Sequence, residues 1–223
     1  MSYISVAIDG PAGAGKSSIS KKLAEMLGYV YVDTGAIYRS IAYEAIKFGY
    51  DIKIDAENIT ELTNECNIDI KYINSSQHIF VNGSDVTSCI RTPEVSKAAS
   101  DVSAIPGVRS ALLSIQRSIA DNNNVIMDGR DIGTVVLPYA TVKIFLTASI
   151  EKRAERRYKE LLEKGVKCNF EDIKSDIAYR DQQDSTRSVA PLKPAEDSIV
   201  FDNSEYDFEQ SVDCLYKIIK ENC

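Results

Sequence analysis

The stretch Ile4–Leu27, ISVAIDGPAGAGKSSISKKLAEML, decides the fold. Ile4 to Ile8 is an apolar run ending at turn formers, the pattern of a buried strand. Gly10-Pro11-Ala12-Gly13-Ala14-Gly15-Lys16-Ser17 then satisfies G-x-x-x-x-G-K-[ST] at every position. From Lys16 to Leu27 the chain reads as a helix. Glycines in such a strand-to-helix turn let backbone N–H groups converge on one anion, and the helix N-terminus adds partial positive charge. Lys16 is expected to reach the β- and γ-phosphates of a nucleoside triphosphate, with Ser17 ligating Mg²⁺ and Ser18 extending the cradle. The alternative is a glycine-rich turn with no ligand. The loop by itself suits a motor, a GTPase or a small-molecule kinase equally.

Outward from this stretch, apolar runs alternate with amphipathic ones, as in a parallel sheet covered by helices. Strands are expected over Tyr29–Val32, Val125–Met127, Val142–Leu146 and Ile199–Phe201. Helices are expected over Gly35–Phe48, Ala56–Glu65, around Val95–Val102, and over Val108–Ala120, Glu151–Lys164, Glu171–Asp181 and Phe208–Ile219, with Pro106-Gly107 as punctuation. Ile68–Ile73 and Gln77–Val81, the second of them ending at the strong turn signal Asn82-Gly83, read as a small antiparallel sheet. The fold class is therefore α/β: a P-loop doubly wound parallel sheet with helices on both faces, a β-rich insertion and a helical lid.

The 223 residues carry a net charge of −7, which disfavours long polyanions such as duplex nucleic acid but not a mononucleotide held in a local basic cleft. Five scattered cysteines (Cys66, Cys89, Cys168, Cys214 and Cys223) form no C-x-x-C pair, as expected of reduced thiols in the cytoplasm. Met1 leads into the first strand without a signal-like apolar core, and no apolar run approaches the ~20 residues of a membrane span. The one histidine, His78, excludes a multi-histidine zinc site and reads as an ordinary surface or core residue.

Three further segments carry the charge needed for an acceptor. Asp33-Thr34-Gly35-Ala36-Ile37-Tyr38-Arg39 lies at the carboxyl end of the second strand, expected beside the phosphate loop, where ligands of doubly wound sheets bind. Taken alone it fits an anion site or a capped helix with a solvated arginine. Asp128-Gly129-Arg130-Asp131 follows a buried strand, and Arg130 can fork onto a phosphate or pair with its flanking aspartates. Arg180, Asp184 and Arg187 share one face if their segment is helical, as ligands or as a self-compensated surface. The helix from Glu151 carries Lys152, Arg153, Arg156, Arg157 and Lys159 on an acidic protein, and is expected to form a phosphate-facing lid. Two unit charges 4 Å apart repel by roughly 4 kcal/mol at an effective dielectric of 20, so a cleft holding two nucleotides needs several cations.

Together IDGPAGAGKSS, DTGAIYR, KAASDVSAIPGVRSAL, DGRDIGTVV, KIFLTAS and RDQQDSTRSVAPL resemble, nearly end to end, the bacterial cytidylate kinases. The resemblance implies one nucleoside monophosphate kinase domain over 1–223. Its core spans about 1–35, 107–150 and 190–223, its acceptor-binding region about 36–106 with an insertion near 66–100, and its lid about 151–189. It implies transfer from ATP, with Mg²⁺, onto CMP or dCMP. Lys16, Arg130 and Arg180 are expected to act on the transferred group, and Arg39 to join the two arginines on the acceptor phosphate. Ser100, Arg109, Asp131 and Arg187 are expected to read cytosine, Asp184 to hold the sugar, and Asp33, Thr34, Asp128 and Gly129 to line the acceptor site. Arg153 and Arg157 are implied donor contacts. A monomer that closes over both nucleotides is the family-level expectation. Kinases for UMP or dTMP, and a non-catalytic ATP-binding module, are the rival readings.

Overall fold

The computed structural model of the chain describes residues 3–74 and 76–223, and the expected run from Met1 falls partly outside them. It divides into two compact units, one formed by 1–31 and 122–223 and the other by 32–121.

The first unit is built on a five-stranded sheet of order β2-β6-β1-β7-β8, with β1 at Ser5–Asp9, β2 at Val30–Asp33, β6 at Val125–Gly129, β7 at Val142–Thr147 and β8 at Ile199–Asp202. β1 pairs in parallel with β6 and β7, and β7 with β8. β2 is therefore separated from β1 by β6, which corrects the expectation that the second strand adjoins the phosphate loop. Adjacency along a sheet is set by crossover connections, which strand patterns do not encode.

Side chains alternate across β1. Val6 and Ile8 face α1 (Lys16–Leu27) and α8 (Phe208–Asn222), packing with Ile19, Leu23, Val212 and Leu215 in one buried cluster. Fully burying each such aliphatic side chain is worth about 1.5–3 kcal/mol. α1 matches its expected span, and Gly28, at φ 69°, ends it with its N–H on the carbonyls of Ala24 and Glu25. α6 (Ile150–Glu163) and α7 (Phe170–Thr186) pack through Ala154, Ile173 and Ile177. α7 runs five residues beyond its expected end, although the added turns carry no apolar stripe. Ser185 and Thr186 return their hydroxyls to the carbonyls of Asp181 and Gln182, satisfying the last turn locally.

The second unit holds α2 (Thr34–Lys47), α3 (Ala56–Glu65), the hairpin strands β3 (Ile68–Ile73), β4 (Ser76–Val81) and β5 (Ser84–Asp85), α4 (Pro93–Val102) and α5 (Pro106–Asn122). The antiparallel β3-β4-β5 sheet is the expected insertion. Asn82 and Gly83 both adopt positive φ, 49° and 82°, as a two-residue turn of this hand requires. Pro106 does not interrupt the chain. It opens α5, where its missing N–H costs nothing. Ile37, Ile41, Ile59, Ile79, Ile90, Val102 and Leu112 form this unit's core.

Candidate active site

The phosphate loop sits at the carboxyl end of the central strand. Gly10 has φ 150°, and a Cβ there would lie 1.9 Å from the Leu146 carbonyl oxygen, so only glycine permits this approach to β7. Gly13 (φ 77°) and Gly15 (φ 90°) turn the loop, Pro11, Ala12 and Ala14 are buried or nearly so around them, and Gly15 caps α1. The N–H groups of Lys16, Ser17 and Ser18 open the helix, where no intrahelical acceptor exists for them.

Lys16 is 5% exposed and its Nζ donates to the Pro11 carbonyl at 2.7 Å. Burial lowers its pKa well below the usual lysine value, with the Arg130 charge adding to the effect and Asp128, Asp184 and Asp9 opposing it. Ser17 Oγ donates to Asp128 Oδ2 at 2.8 Å, and Tyr31 donates its hydroxyl to Asp128 Oδ1 at 3.0 Å. Register places Asp128 opposite Ile8 and Gly129 opposite Asp9, so both end β6 rather than following it.

Side chains of α6, α7 and Asn203 strap the loop. Ala12 N–H donates to Asp181 Oδ1 at 3.3 Å. Arg153 reaches Asp181 at 2.6 Å and donates to the carbonyls of Ala12 and Ala148, both at 2.9 Å. Arg156 donates to the carbonyl of Ala14 at 3.5 Å and to that of Asn203 at 2.7 Å. Asn203 Nδ2 also reaches the Ala14 carbonyl, at 3.2 Å. Arg157 instead pairs with Glu160 at 2.7 Å along the helix surface. The three arginines of α6 thus diverge, two onto loop carbonyls and one into a surface pair.

Arg130 lies just past β6. Its Nε donates to Asp184 Oδ2 at 2.7 Å and its NH1 to the Gly129 carbonyl at 3.2 Å. Burial works against its charge, yet the carboxylates of Asp184, Asp128 and Asp181 more than compensate and raise its pKa. Asp131 accepts from Arg187 at 3.2 Å, and Arg187 Nε also holds the Ala190 carbonyl at 2.7 Å. Arg180, half-buried, stands one turn before Asp184 on α7, and Arg187 caps that helix.

In the second unit, Asp33 Oδ1 caps α2 through the Ala36 N–H at 2.9 Å, and Oδ2 pairs with Arg39 at 2.8 Å. Arg39 Nε is buried without a hydrogen-bond partner among the described residues. A buried donor left in that state costs about 1–3 kcal/mol. Thr34 and Ser100 are buried, and Arg109 donates to the Ser103 carbonyl at 3.0 Å with its guanidinium 5.5 Å from the Tyr38 ring centre.

Several residues at these sites were given no role by the sequence. Gln77 accepts from the Asp33 N–H at 2.8 Å and donates to the Asp33 carbonyl at 3.2 Å, fixing the start of α2. Asp9 accepts from the N–H groups of Ile132 and Gly133 at 2.8 and 2.7 Å, holding the π-helical turn Ile132–Val136. Burial, helped by the Asp131 charge, raises the Asp9 pKa to about 6 against those two hydrogen bonds. Tyr31, Asp181 and Asn203 belong to the same group. All act through partners far away in sequence, where local pattern is silent.

His78 Nδ1 meets Asp85 Oδ2 at 2.8 Å across the hairpin. Hydrogen bonds from Thr87 and His78 lower the Asp85 pKa to about 2. Among the described residues all five cysteines are free, no cluster of three or more His, Cys, Asp or Glu is placed to hold a metal ion, and no helix is long and apolar enough to cross a membrane.

The family model described as Cytidylate kinase matches residues 6–221. A cytidylate kinase of Caldicellulosiruptor bescii is 48% identical over 224 residues, covering 99% of both chains. One of Streptococcus pyogenes is 49% identical over 221 residues, covering 99% of this chain and 96% of its own. Among solved structures, an uncharacterized protein of Eubacterium ventriosum aligns at a TM-score of 0.55 and 12% identity over 97% of this chain and 98% of its own, a likeness of fold alone. By the extent of the matched model and the identity of these relatives, the chain belongs to the cytidylate kinase family.

Proposed function

We propose that the chain transfers the γ-phosphoryl group of MgATP to CMP and dCMP, giving CDP or dCDP and ADP, by direct in-line displacement. The observation that carries this reading is the run of charge along one sheet edge. Lys16, at the start of α1, feels the charge of Arg130, just past β6, and Asp184 pairs with Arg130 at 2.7 Å. A donor loop and an acceptor arginine set side by side are what two phosphorylated substrates need.

Ser17 Oγ and Asp128 Oδ2, 2.8 Å apart, are hard oxygen donors of the type Mg²⁺ takes in kinase sites, where one or two protein oxygens suffice beside phosphate and water. An ion held there would supply neutralisation of the charge on the phosphate oxygens. Ser17 would hold it, with Asp128 behind. Lys16 places a second positive charge on the same oxygens. Arg39, Arg130 and Arg180 take the acceptor phosphate and align its oxygen with the donor, so proximity and electrostatics carry the reaction. No general base is required, because the acceptor oxygen is already ionised. Asp131 accepts from the cytosine exocyclic amino group, with Ser100, Arg109 and Arg187 completing the base site and Asp184 the sugar site. Arg157 is the lid arginine left at the surface for the donor, and Arg153 steadies the loop.

Incubation with MgATP carrying a labelled γ-phosphate tests the reading. Label appearing in CDP when CMP is present, and in no protein band when ATP is supplied alone, supports it. A labelled protein that discharges onto CMP overturns the direct transfer, and no labelled nucleotide product overturns the activity.

A further inference from the structure

Tyr31 lies in β2, and its side chain reaches Asp128 on the neighbouring strand β6. Its hydroxyl faces Asp128 Oδ1 at 3.0 Å while Ser17 Oγ faces Oδ2 at 2.8 Å, so the carboxylate is held at both oxygens. An ionised carboxylate only accepts, so both hydroxyls must donate to it. Asp128 is 4% exposed, which leaves water little room to replace either bond.

The arrangement matters because of what a serine hydroxyl has to offer. It has one proton and two lone pairs, and it can ligate a cation only through a lone pair. Its proton must therefore point elsewhere, and Asp128 Oδ2 receives it. A carboxylate alone does not fix that direction, since its terminal torsion is broad and two-fold. Anchoring the far oxygen removes that freedom. The Tyr31 hydroxyl is so placed, from a strand two positions away from the one that carries the loop.

We propose that Tyr31 is a positioning residue for the donor-side metal: through Asp128 it locks the Ser17 hydroxyl with its lone pairs turned toward the cation. This rests on the reading of Ser17 as the Mg²⁺ ligand. Partners that orient metal ligands in this indirect way typically change metal affinity by roughly 10–100-fold when removed.

The test uses Mn²⁺ as a paramagnetic stand-in, titrated into protein saturated with ADP, with free Mn²⁺ read by electron paramagnetic resonance. Tyr31→Phe keeps the ring and its packing and removes only the hydroxyl. The expected result is a Mn²⁺ dissociation constant raised roughly ten-fold, with ADP affinity in EDTA unchanged although the thermal midpoint falls as buried Asp128 loses a donor, a pattern that a purely structural tyrosine does not produce. Ser17→Ala serves as reference. If Ser17→Ala weakens Mn²⁺ binding and Tyr31→Phe does not, the positioning role is overturned and the metal reading stands. If Ser17→Ala leaves Mn²⁺ binding intact, the metal reading fails and the role of Tyr31 with it.

Discussion

Arg130 Nε donates to Asp184 Oδ2 at 2.7 Å, a bond that joins residues 54 apart in sequence. Asp184 is buried and pairs with Arg130, so the residue that the family resemblance places on the sugar also aims the arginine proposed for the acceptor phosphate. Asp184→Asn keeps the shape and removes the charge. A hydrogen bond to a charged group is worth about 1.5–3 kcal/mol. We expect kcat/KM to fall roughly 10–100-fold, by the same factor for CMP and dCMP. Steady-state rates with both acceptors check this, and a loss confined to CMP would assign Asp184 to the ribose 2′-hydroxyl alone.

Asp131 accepts from Arg187 at 3.2 Å, so its carboxylate is oriented before any base arrives. A carboxylate suits the amino group of cytosine and opposes the carbonyl oxygen that uracil presents there. Asp131→Asn can donate as well as accept, and is expected to narrow the preference for CMP over UMP. Specificity constants for the two nucleotides measure it directly, and an unchanged ratio removes Asp131 from base reading.

Asp181 holds the Ala12 N–H at 3.3 Å and the Arg153 guanidinium at 2.6 Å. The loop motif assigns this N–H to the donor phosphate, so the carboxylate would compete for it. Asp181→Ala is expected to tighten ATP binding several-fold while lowering the thermal midpoint, because Arg153 is only 6% exposed and loses its ion pair. Calorimetric titration with ATP and a melting curve separate the two effects.

Asp9 has a folded-state pKa of about 6 against 3.8 for the free side chain. Its raised pKa means that the native protein binds the proton more tightly than the unfolded chain. The stabilisation is complete below pH 3.8 and is lost as pH rises through 6, by roughly 3 kcal/mol in all. Asp9→Asn keeps one acceptor oxygen and removes the titration. Relative to this variant, the parent protein is expected to lose stability between pH 4 and pH 6.5, as followed by denaturant unfolding. A difference independent of pH would place the Asp9 pKa near its ordinary value.

Elements with local boundaries were legible in the sequence. α1 runs from the loop to Gly28, and α3 fills the span that its pattern predicts. The C-terminal extension of α7 past Asp181 was not, because those residues are polar on every face and Asp184 among them is held by Arg130, far away in sequence. The residues of the phosphate loop announce themselves by spacing. Their partners do not: Ser17 and Asp128 are 111 residues apart, and Asn203 lies 189 from the Ala14 carbonyl it holds. Sheet order decides such meetings. With β6 between β1 and β2, Asp128 meets Ser17 of the loop with one oxygen and Tyr31 of β2 with the other.

The most direct test of the account is acceptor choice: ADP release at fixed MgATP, compared across CMP, dCMP, UMP, AMP, GMP and dTMP. The account predicts fast turnover with CMP and dCMP and little with the other four. Turnover favouring any of those four would contradict the cytosine-reading role of Ser100, Arg109 and Asp131, and turnover with none of the six would contradict the kinase itself.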